Sequence, residues 1–367
     1  MDGKNRFRIG CCISGHGFGH ATRAIAVMQA LSRRVAVALT IVTDAPAWLF
    51  AESLRVPFDL HAEAVDVGLV QHSALVEDLP ATLQALAAFS SQAEERVARI
   101  AGHLAGCHLV LCDIAPWGIA AAHQAGIHSV LIENFTWDWI YEGYAARWPQ
   151  LRPHIDVLRT LFCRADYHIQ TRPVCAPTAC DLVVDPVARA PERPEQIRQR
   201  LYLEPGQKVV LLTMGGLGVE TVSLQPLLQR PDLVFVLPGR SRENEFTGNL
   251  RFLGREAAWY HPDLVAAADL VVGKLGYSTV AEAYQAKTPF AYVARRDFRE
   301  SASLAAFVDD LLSSWKIPQE FLSNGRWLEA LPPFPAEQSR IPRTMNGADQ
   351  VAIWLSDLLN EQPHAPS

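Results

Sequence analysis

The 367-residue sequence has no CxxC pair, no apolar run long enough to cross a membrane and no excess of basic residues. Each absence removes a class. The seven cysteines (Cys11, Cys12, Cys107, Cys112, Cys163, Cys175 and Cys180) lack the spacing of a zinc site or a redox motif. Several lie in apolar, strand-like runs, where a thiol behaves as a small core residue, so they read as reduced and the chain as cytoplasmic. The opening MDGKNRFRIGCCISG is a short, glycine-broken lead into a strand without a signal-peptide cleavage pattern; no integral membrane segment is expected. Lys plus Arg number 33 against 39 Asp plus Glu, a net charge of −6, which argues against a general nucleic-acid binder. It leaves open an anionic ligand, because helix N-termini and a few arginines bind phosphate locally. No short repeat, low-complexity tract or DxD metal motif in a suitable loop appears, and no metal or cofactor is implied.

What is present is ordinary globular material, 49% hydrophobic and 20% charged, in a length that favours two domains. Strand-like and helix-like segments alternate, which predicts parallel sheets with crossover helices in an α/β fold. In the first half the expected strands are Arg8–Ile13, Val35–Val42, His108–Cys112, Ser129–Ile132 and Tyr167–Gln170. The expected helices are Ala21–Leu31, one continuous Leu79–Leu104 and Pro116–Gln124. Prolines between Thr171 and Pro194 mark an interdomain linker. The alternation then restarts: strand Lys208–Thr213, loop Gly215–Gly218, helix Thr221–Gln229, strand Leu233–Leu237, strand Asp269–Val272, loop Lys274–Tyr277, helix Ser278–Gln285 and strand Pro289–Val293. Asn346 can cap a last helix through Leu359, with Val351, Trp354, Leu355 and Leu358 on one face. The expected units are 1–185, 186–345 and a helix at 346–360 packing back towards the first.

Two glycine loops carry the chemistry. In SGHGFGHATR (Ser14–Arg23), Gly15, Gly17 and Gly19 allow a tight turn and close approach of a ligand to a helix start. The pattern is G-x-G-x-G-H, not the dinucleotide G-x-G-x-x-G, although Asp44 after the second strand imitates a ribose-binding acid and keeps that rival open. His16 and His20 are four apart, but glycines replace the helix and glutamate of a metal site. Either histidine suits proton removal from a hydroxyl, given a carboxylate to orient it. Asp113, at the carboxyl end of a strand, is the candidate orienter; capping the next helix is its plain alternative.

In the second half, LLTMGGLG (Leu211–Gly218) repeats the device with Gly215 and Gly216. DLVVGKLGYSTVAEAYQAKTPFAYVARRDFRE (Asp269–Glu300) is the stronger signal. A strand ends near Gly273, and Ser278 or Thr279 opens a helix whose amides face a loop carrying Lys274, an anion site. Glu282, one turn in, either faces a ribose diol there or is an exposed helix glutamate. Arg295, Arg296, Asp297, Arg299 and Glu300 cluster after the next strand, as surface charge or as contacts to sugar hydroxyls and phosphate. In ENFTWDWIYEGY (Glu133–Tyr144), Asn134, Trp137, Asp138 and Trp139 form either an acceptor wall or a helix packed into the core.

These segments resemble the GT-B glycosyltransferases, including the bacterial transferase that adds GlcNAc to the peptidoglycan lipid precursor. SGHGFGHATR, the stretch Cys112–Tyr144 and GKLGYSTVAEA with PFAYVARRDF are most similar to the N-terminal, glycosyltransferase-like region of plant L-arabinokinases. The resemblance touches both halves and implies a GT-B fold: two Rossmann-like, doubly wound domains facing a central cleft. It implies a donor diphosphate at Gly276, Tyr277, Ser278 and Thr279, with Gly17, Gly19, Gly215, Gly216 and Lys274 beside it. It also implies a ribose at Glu282, with Arg296, Asp297 and Glu300 on the donor side. No glycine–serine phosphate loop of the kinase half follows Pro342, so sugar phosphorylation is not expected. Retaining relatives often carry a glutamate eight residues before the ribose-binding one; here that residue is Lys274, which favours inversion. In plant inverting transferases a loop histidine pairs with an aspartate, and His20 and Asp113 match them, with His16 as substitute base. The expected partners are a nucleotide-sugar donor, UDP-sugar favoured, and a small-molecule or glycoconjugate acceptor. A hydrolase or epimerase on the same fold and a non-catalytic nucleotide-sugar sensor are the alternatives.

Overall fold

The computed structural model describes residues 6–214, 222–254, 259–329, 331 and 344–361. Among them are two seven-stranded sheets and a small hairpin. The first sheet is built from β1 (Phe7–Ile13), β2 (Val37–Thr43) and β3 (Phe58–Ala62). The chain then makes the hairpin β4 (Gln71–Ser73) and β5 (Val76–Glu77), and returns with β6 (Leu109–Asp113), β7 (Ser129–Glu133), β8 (Tyr167–Thr171) and β9 (Leu182–Val184). The spatial order is β3-β2-β1-β6-β7-β8-β9, all parallel.

The second sheet contains β10 (Lys208–Thr213), β11 (Leu233–Ser241), β12 (Glu245–Thr247), β13 (Leu250–Gly254), β14 (Leu270–Lys274), β15 (Phe290–Val293) and β16 (Ser314–Lys316). Its order is β12-β13-β11-β10-β14-β15-β16, parallel except for the β12 edge. Strands covered on both faces by helices read as nearly unbroken apolar runs, and FRIGCCI, LVLCD, KVVLLT and FAYV do.

Both sheets reverse their winding at the centre. In the first, the crevice opens between β1 and β6, where Ile13 pairs with Asp113; in the second, between β10 and β14, where Thr213 pairs with Gly273. Ligands of open parallel sheets bind outside the carboxyl ends of the strands at such points.

Several elements differ from the sequence reading. The first helix begins at Phe18, three residues early, because Gly17 caps it and the glycine loop winds straight into the helix. The long alanine-rich helix is two, Leu79–Ser91 and Ala93–Leu104, broken at Gln92. The proline-rich linker contains β9, whose LVV run pairs with β8 and completes the sheet. The helix expected over Thr221–Gln229 is only Gln225–Leu228, with Pro226 in its first turn; the Gly215–Gly218 loop lies outside the described residues. No helix among the described residues is long and apolar enough to cross a membrane.

The last helix, Gly347–Glu361, crosses back to the first sheet. Asn346 caps it, its Oδ1 accepting from the Ala348 amide at 2.9 Å. Val351, Ala352, Leu355 and Leu359 are buried in the same core as Ile25 and Leu31 of the first helix. Trp354 and Leu358 pack at its margin. Leu355 has no exposed surface. Leu355→Ala is expected to lower the unfolding free energy by about 3 kcal/mol, the usual cost of a leucine-sized core cavity, read from urea denaturation.

Candidate active site

β1 leads into the turn Ser14–Gly17 and the helix Phe18–Ser32. Gly17 has φ 71°, a left-handed conformation that favours glycine. Gly15 packs under the exposed Asp44 side chain, which would have to move to admit a Cβ there. His20 and Arg23, one turn apart in this helix, are both buried.

Asp113 at the end of β6 receives them together. Arg23 donates through Nε to Oδ2 at 2.8 Å and through Nη2 to Oδ1 at 2.7 Å, a two-pronged ion pair. His20 Nδ1 meets the same Oδ1 at 3.2 Å. Burial alone would raise the Asp113 pKa, but the charge and hydrogen bonds of Arg23, with those of His20, hold it below the ordinary carboxylate value. An ionised Asp113 accepts only, so it places the His20 proton on Nδ1 and leaves Nε2 as the free lone pair.

His16 is oriented the other way. Its Nδ1 accepts the Leu69 amide at 3.2 Å, which puts the proton on Nε2. Burial first, then the Arg295 charge, depress its pKa well below the ordinary value, so the ring is neutral and presents a donor. Trp137 packs edge-on against it, centroids 4.9 Å apart.

The opposite wall comes from the second sheet. β14 ends at Lys274, and the helix Tyr277–Ala286 starts after Gly276 with no side-chain cap. Its first-turn amides therefore have no intrahelical partner. The two turns face each other closely: a Cβ at Gly19 would lie 3.8 Å from Ser278 Oγ. Between them is a cavity of about 190 Å³, lined by His16, Gly17, Phe18, Gly19, His20 and Arg23 on one side. Lys274, Gly276, Tyr277, Ser278, Thr279, Arg295, Phe298 and Glu300 line the other, with Gln71 and Phe135 completing it. Burial first, then the neighbouring Arg295 charge, lower the Lys274 pKa to about 8.

Polar contacts tie the walls. Arg23 Nη1 donates to Asn134 Oδ1 at 2.8 Å, and Asn134 Nδ2 donates to Glu300 Oε1 at 2.8 Å. The Arg23 guanidinium also lies over the Tyr277 ring, 4.9 Å from its centroid.

Other expected positions lie elsewhere. Glu282 is buried, not exposed, and does not line the cavity. Its Oε2 meets His261 Nδ1 at 2.6 Å and its Oε1 accepts from Arg189 at 3.2 and 3.3 Å. Burial would raise its pKa; His261 and Arg189 outweigh that and lower it. Arg189 continues to Ser53 Oγ at 3.4 Å, joining the halves a second time. Asn134 and Trp137 are buried behind the cavity wall, with Trp137 Nε1 donating to Asp66 Oδ2 at 2.6 Å. Asp138 is half-buried 3.7 Å from Arg159, and Trp139 is covered by Arg299 at 4.1 Å. Arg296 and Asp297 are exposed, Asp297 lying 3.4 Å from Arg147. Gly215 and Gly216 lie outside the described residues. Arg23, Phe18, Phe135 and Phe298 were not singled out from the sequence; the spacing of Arg23 three residues after His20, on one helix face, was the available signal.

Solved structures of similar fold include glycosyltransferases. The calicheamicin glycosyltransferase CalG4 aligns with 98% of this chain and 100% of its own at a TM-score of 0.64 and 16% identity. A UDP-glucosyltransferase from Polygonum tinctorium aligns over 98% and 100% at 0.62 and 12% identity. The glycosyltransferase VinC, in complex with dTDP, aligns over 97% and 96% at 0.58 and 15% identity. The chain has the GT-B fold. By sequence it is 30% identical to L-arabinokinase of Arabidopsis thaliana over 327 residues, 86% of this chain but 31% of that protein. The chain thus spans about a third of that relative's length. No family model matches.

The depressed Lys274 pKa has a measurable consequence. Its charge is present below pH about 8 and is lost as pH rises through that value. Pyrophosphate affinity should therefore be flat below pH 8 and fall above it, and Lys274→Met should abolish the decline. Titration calorimetry across pH 6.5–9.5, a range of about three units around that value, reads both.

Proposed function

We propose that this chain is an inverting glycosyltransferase that moves a sugar from a nucleotide-sugar donor to an acceptor hydroxyl. The observation that carries the reading is the single cavity shared by the His20–Asp113–Arg23 cluster and the uncapped start of the Tyr277–Ala286 helix. A lone-pair nitrogen on one wall and an anion receptor on the other are what in-line displacement at an anomeric carbon needs. UDP is the favoured nucleotide, in line with the names of the UDP-glucosyltransferase neighbours. We read 1–185 and 186–345 as the acceptor-side and donor-side domains, with the last helix returning to the first.

In the reaction, His20 Nε2 takes the proton of the acceptor hydroxyl while its oxygen attacks the anomeric carbon from the face opposite the phosphate. The bond from that carbon to the diphosphate oxygen breaks, and its electron pair leaves with the nucleotide diphosphate. The amides of Tyr277–Thr279 and Lys274 Nζ meet the growing negative charge, so the protein itself supplies charge compensation. Asp113 stabilises the imidazolium once His20 is protonated. A ribose hydroxyl would reach Glu282 at Oε2, beside the His261 contact.

His20→Ala should leave the dissociation constant for UDP within about twofold and lower transfer by about 10²–10⁴-fold, the range for loss of a general base. Transfer at the wild-type rate would reject the assignment. Release of free sugar without an acceptor, at a rate no acceptor raises, would favour a hydrolase.

A further inference from the structure

Arg295 is a buried cation of the cavity whose donors are not all matched. It is buried, and its Nε and Nη1 have no hydrogen-bond partner among the described residues. The nearest carboxylates stand beyond hydrogen-bond reach, Glu77 Oε1 at 3.7 Å from Nη1 and Glu300 Oε2 at 3.9 Å from Nη2. Glu300 already accepts from Asn134 through its other oxygen. Phe298 covers one face of the guanidinium, 3.2 Å from ring centroid to Cζ, which leaves the in-plane donors to recruit a partner. A buried guanidinium with bare donors is costly, and a planar carboxylate satisfies its charge and its donors together.

Its place in the fold separates it from the diphosphate receptor. The helix start that faces Gly19 belongs to the turn after β14. Arg295 follows β15, the neighbouring strand, which pairs Lys274 with Val293. It stands against Glu77 of the first half and contributes the largest charge effect felt by His16, ahead of His20 and Lys274. The sugar must lie between the diphosphate and the base, and Arg295 borders that interval.

We propose that Arg295 binds a carboxylate on the transferred sugar, so that the donor is a nucleotide-linked uronic acid, not a neutral hexose. The proposal rests on the transferase reading above and goes beyond it by fixing the chemical class of the sugar. Glu77 and Glu300 balance the guanidinium charge as ion pairs at 3.7 and 3.9 Å, and the unfilled donors Nε and Nη1 are what the sugar carboxylate engages.

The test is a comparison of UDP-glucuronate, UDP-glucose and UDP by titration calorimetry, with wild-type protein and Arg295→Met. The wild type should bind the uronate at least about tenfold more tightly than the glucose form, the yield of one charge-assisted contact. Arg295→Met should abolish that preference by weakening the uronate alone. Equal affinities in the wild type, with UDP itself bound, would overturn the proposal and leave the transferase reading standing. Equal weakening of both sugars in the variant would reduce Arg295 to a tie between the halves through Glu77, and would also overturn it. The wild-type comparison decides even where the variant does not fold. Failure of UDP and both sugar nucleotides to bind would remove the UDP-dependent form of the transferase reading and overturn this proposal with it.

Discussion

The site depends on a buried carboxylate shared by the Arg23 guanidinium and the His20 imidazole. Asp113 is 2% exposed, and an unpaired charge there would cost several kcal/mol. Arg23 resolves this by closing a fork on both oxygens. The fork is not free stabilisation: bringing both ions out of water roughly cancels their attraction, whereas losing either partner costs about 3–5 kcal/mol. What the pair secures is definition. Asp113 remains ionised, its geometry is set by the rigid guanidinium plane, and His20 finds an acceptor in a fixed place.

The same arginine couples the base to the other half of the molecule. From Asp113 the chain of contacts runs through Arg23 and Asn134 to Glu300, with Tyr277 beneath the guanidinium. At the rim, Arg299 donates to the Trp139 carbonyl and Arg147 approaches Asp297, contacts that solvent weakens to about 0–1 kcal/mol each. The cavity these ties enclose, about 190 Å³, is smaller than the ~300–1,000 Å³ of ordinary ligand pockets.

The sequence was informative where the physics is local. Unbroken apolar runs marked both parallel sheets, and glycines after strands marked the turns that enter the cavity. Their helix starts, Lys274 at a strand end and His20 with Asp113 followed from those placements. Partners remote in sequence were not legible. Glu282 reads as a ribose contact or an exposed helix carboxylate because its partners are remote, His261 21 residues and Arg189 93 residues away. Trp137 stays open between an acceptor wall and the core in the sequence because nothing nearby announces Asp66, which accepts its indole N–H from 71 residues upstream. The Gln92 break and β9 were missed for a related reason: helix propensity and prolines describe a segment, while its neighbours decide whether it bends or pairs.

The two loop histidines illustrate the point most sharply. In GHGFGH they are nearly symmetric, flanked by glycine and equally suited to proton transfer. The fold breaks the symmetry with one donor and one acceptor. The Leu69 amide occupies the lone pair of His16, and the Asp113 carboxylate occupies the proton of His20. The first ring is left able only to donate, the second able to accept, although both line the same cavity. In the proposed reaction, an acceptor hydroxyl between them gives its proton to His20 Nε2 while its oxygen lone pair receives a hydrogen bond from His16 Nε2. That second bond would hold the nucleophile in line but also draw electron density from it. His16 is therefore suited to positioning the acceptor and His20 to activating it, a division set by backbone and carboxylate partners, not by the residue type.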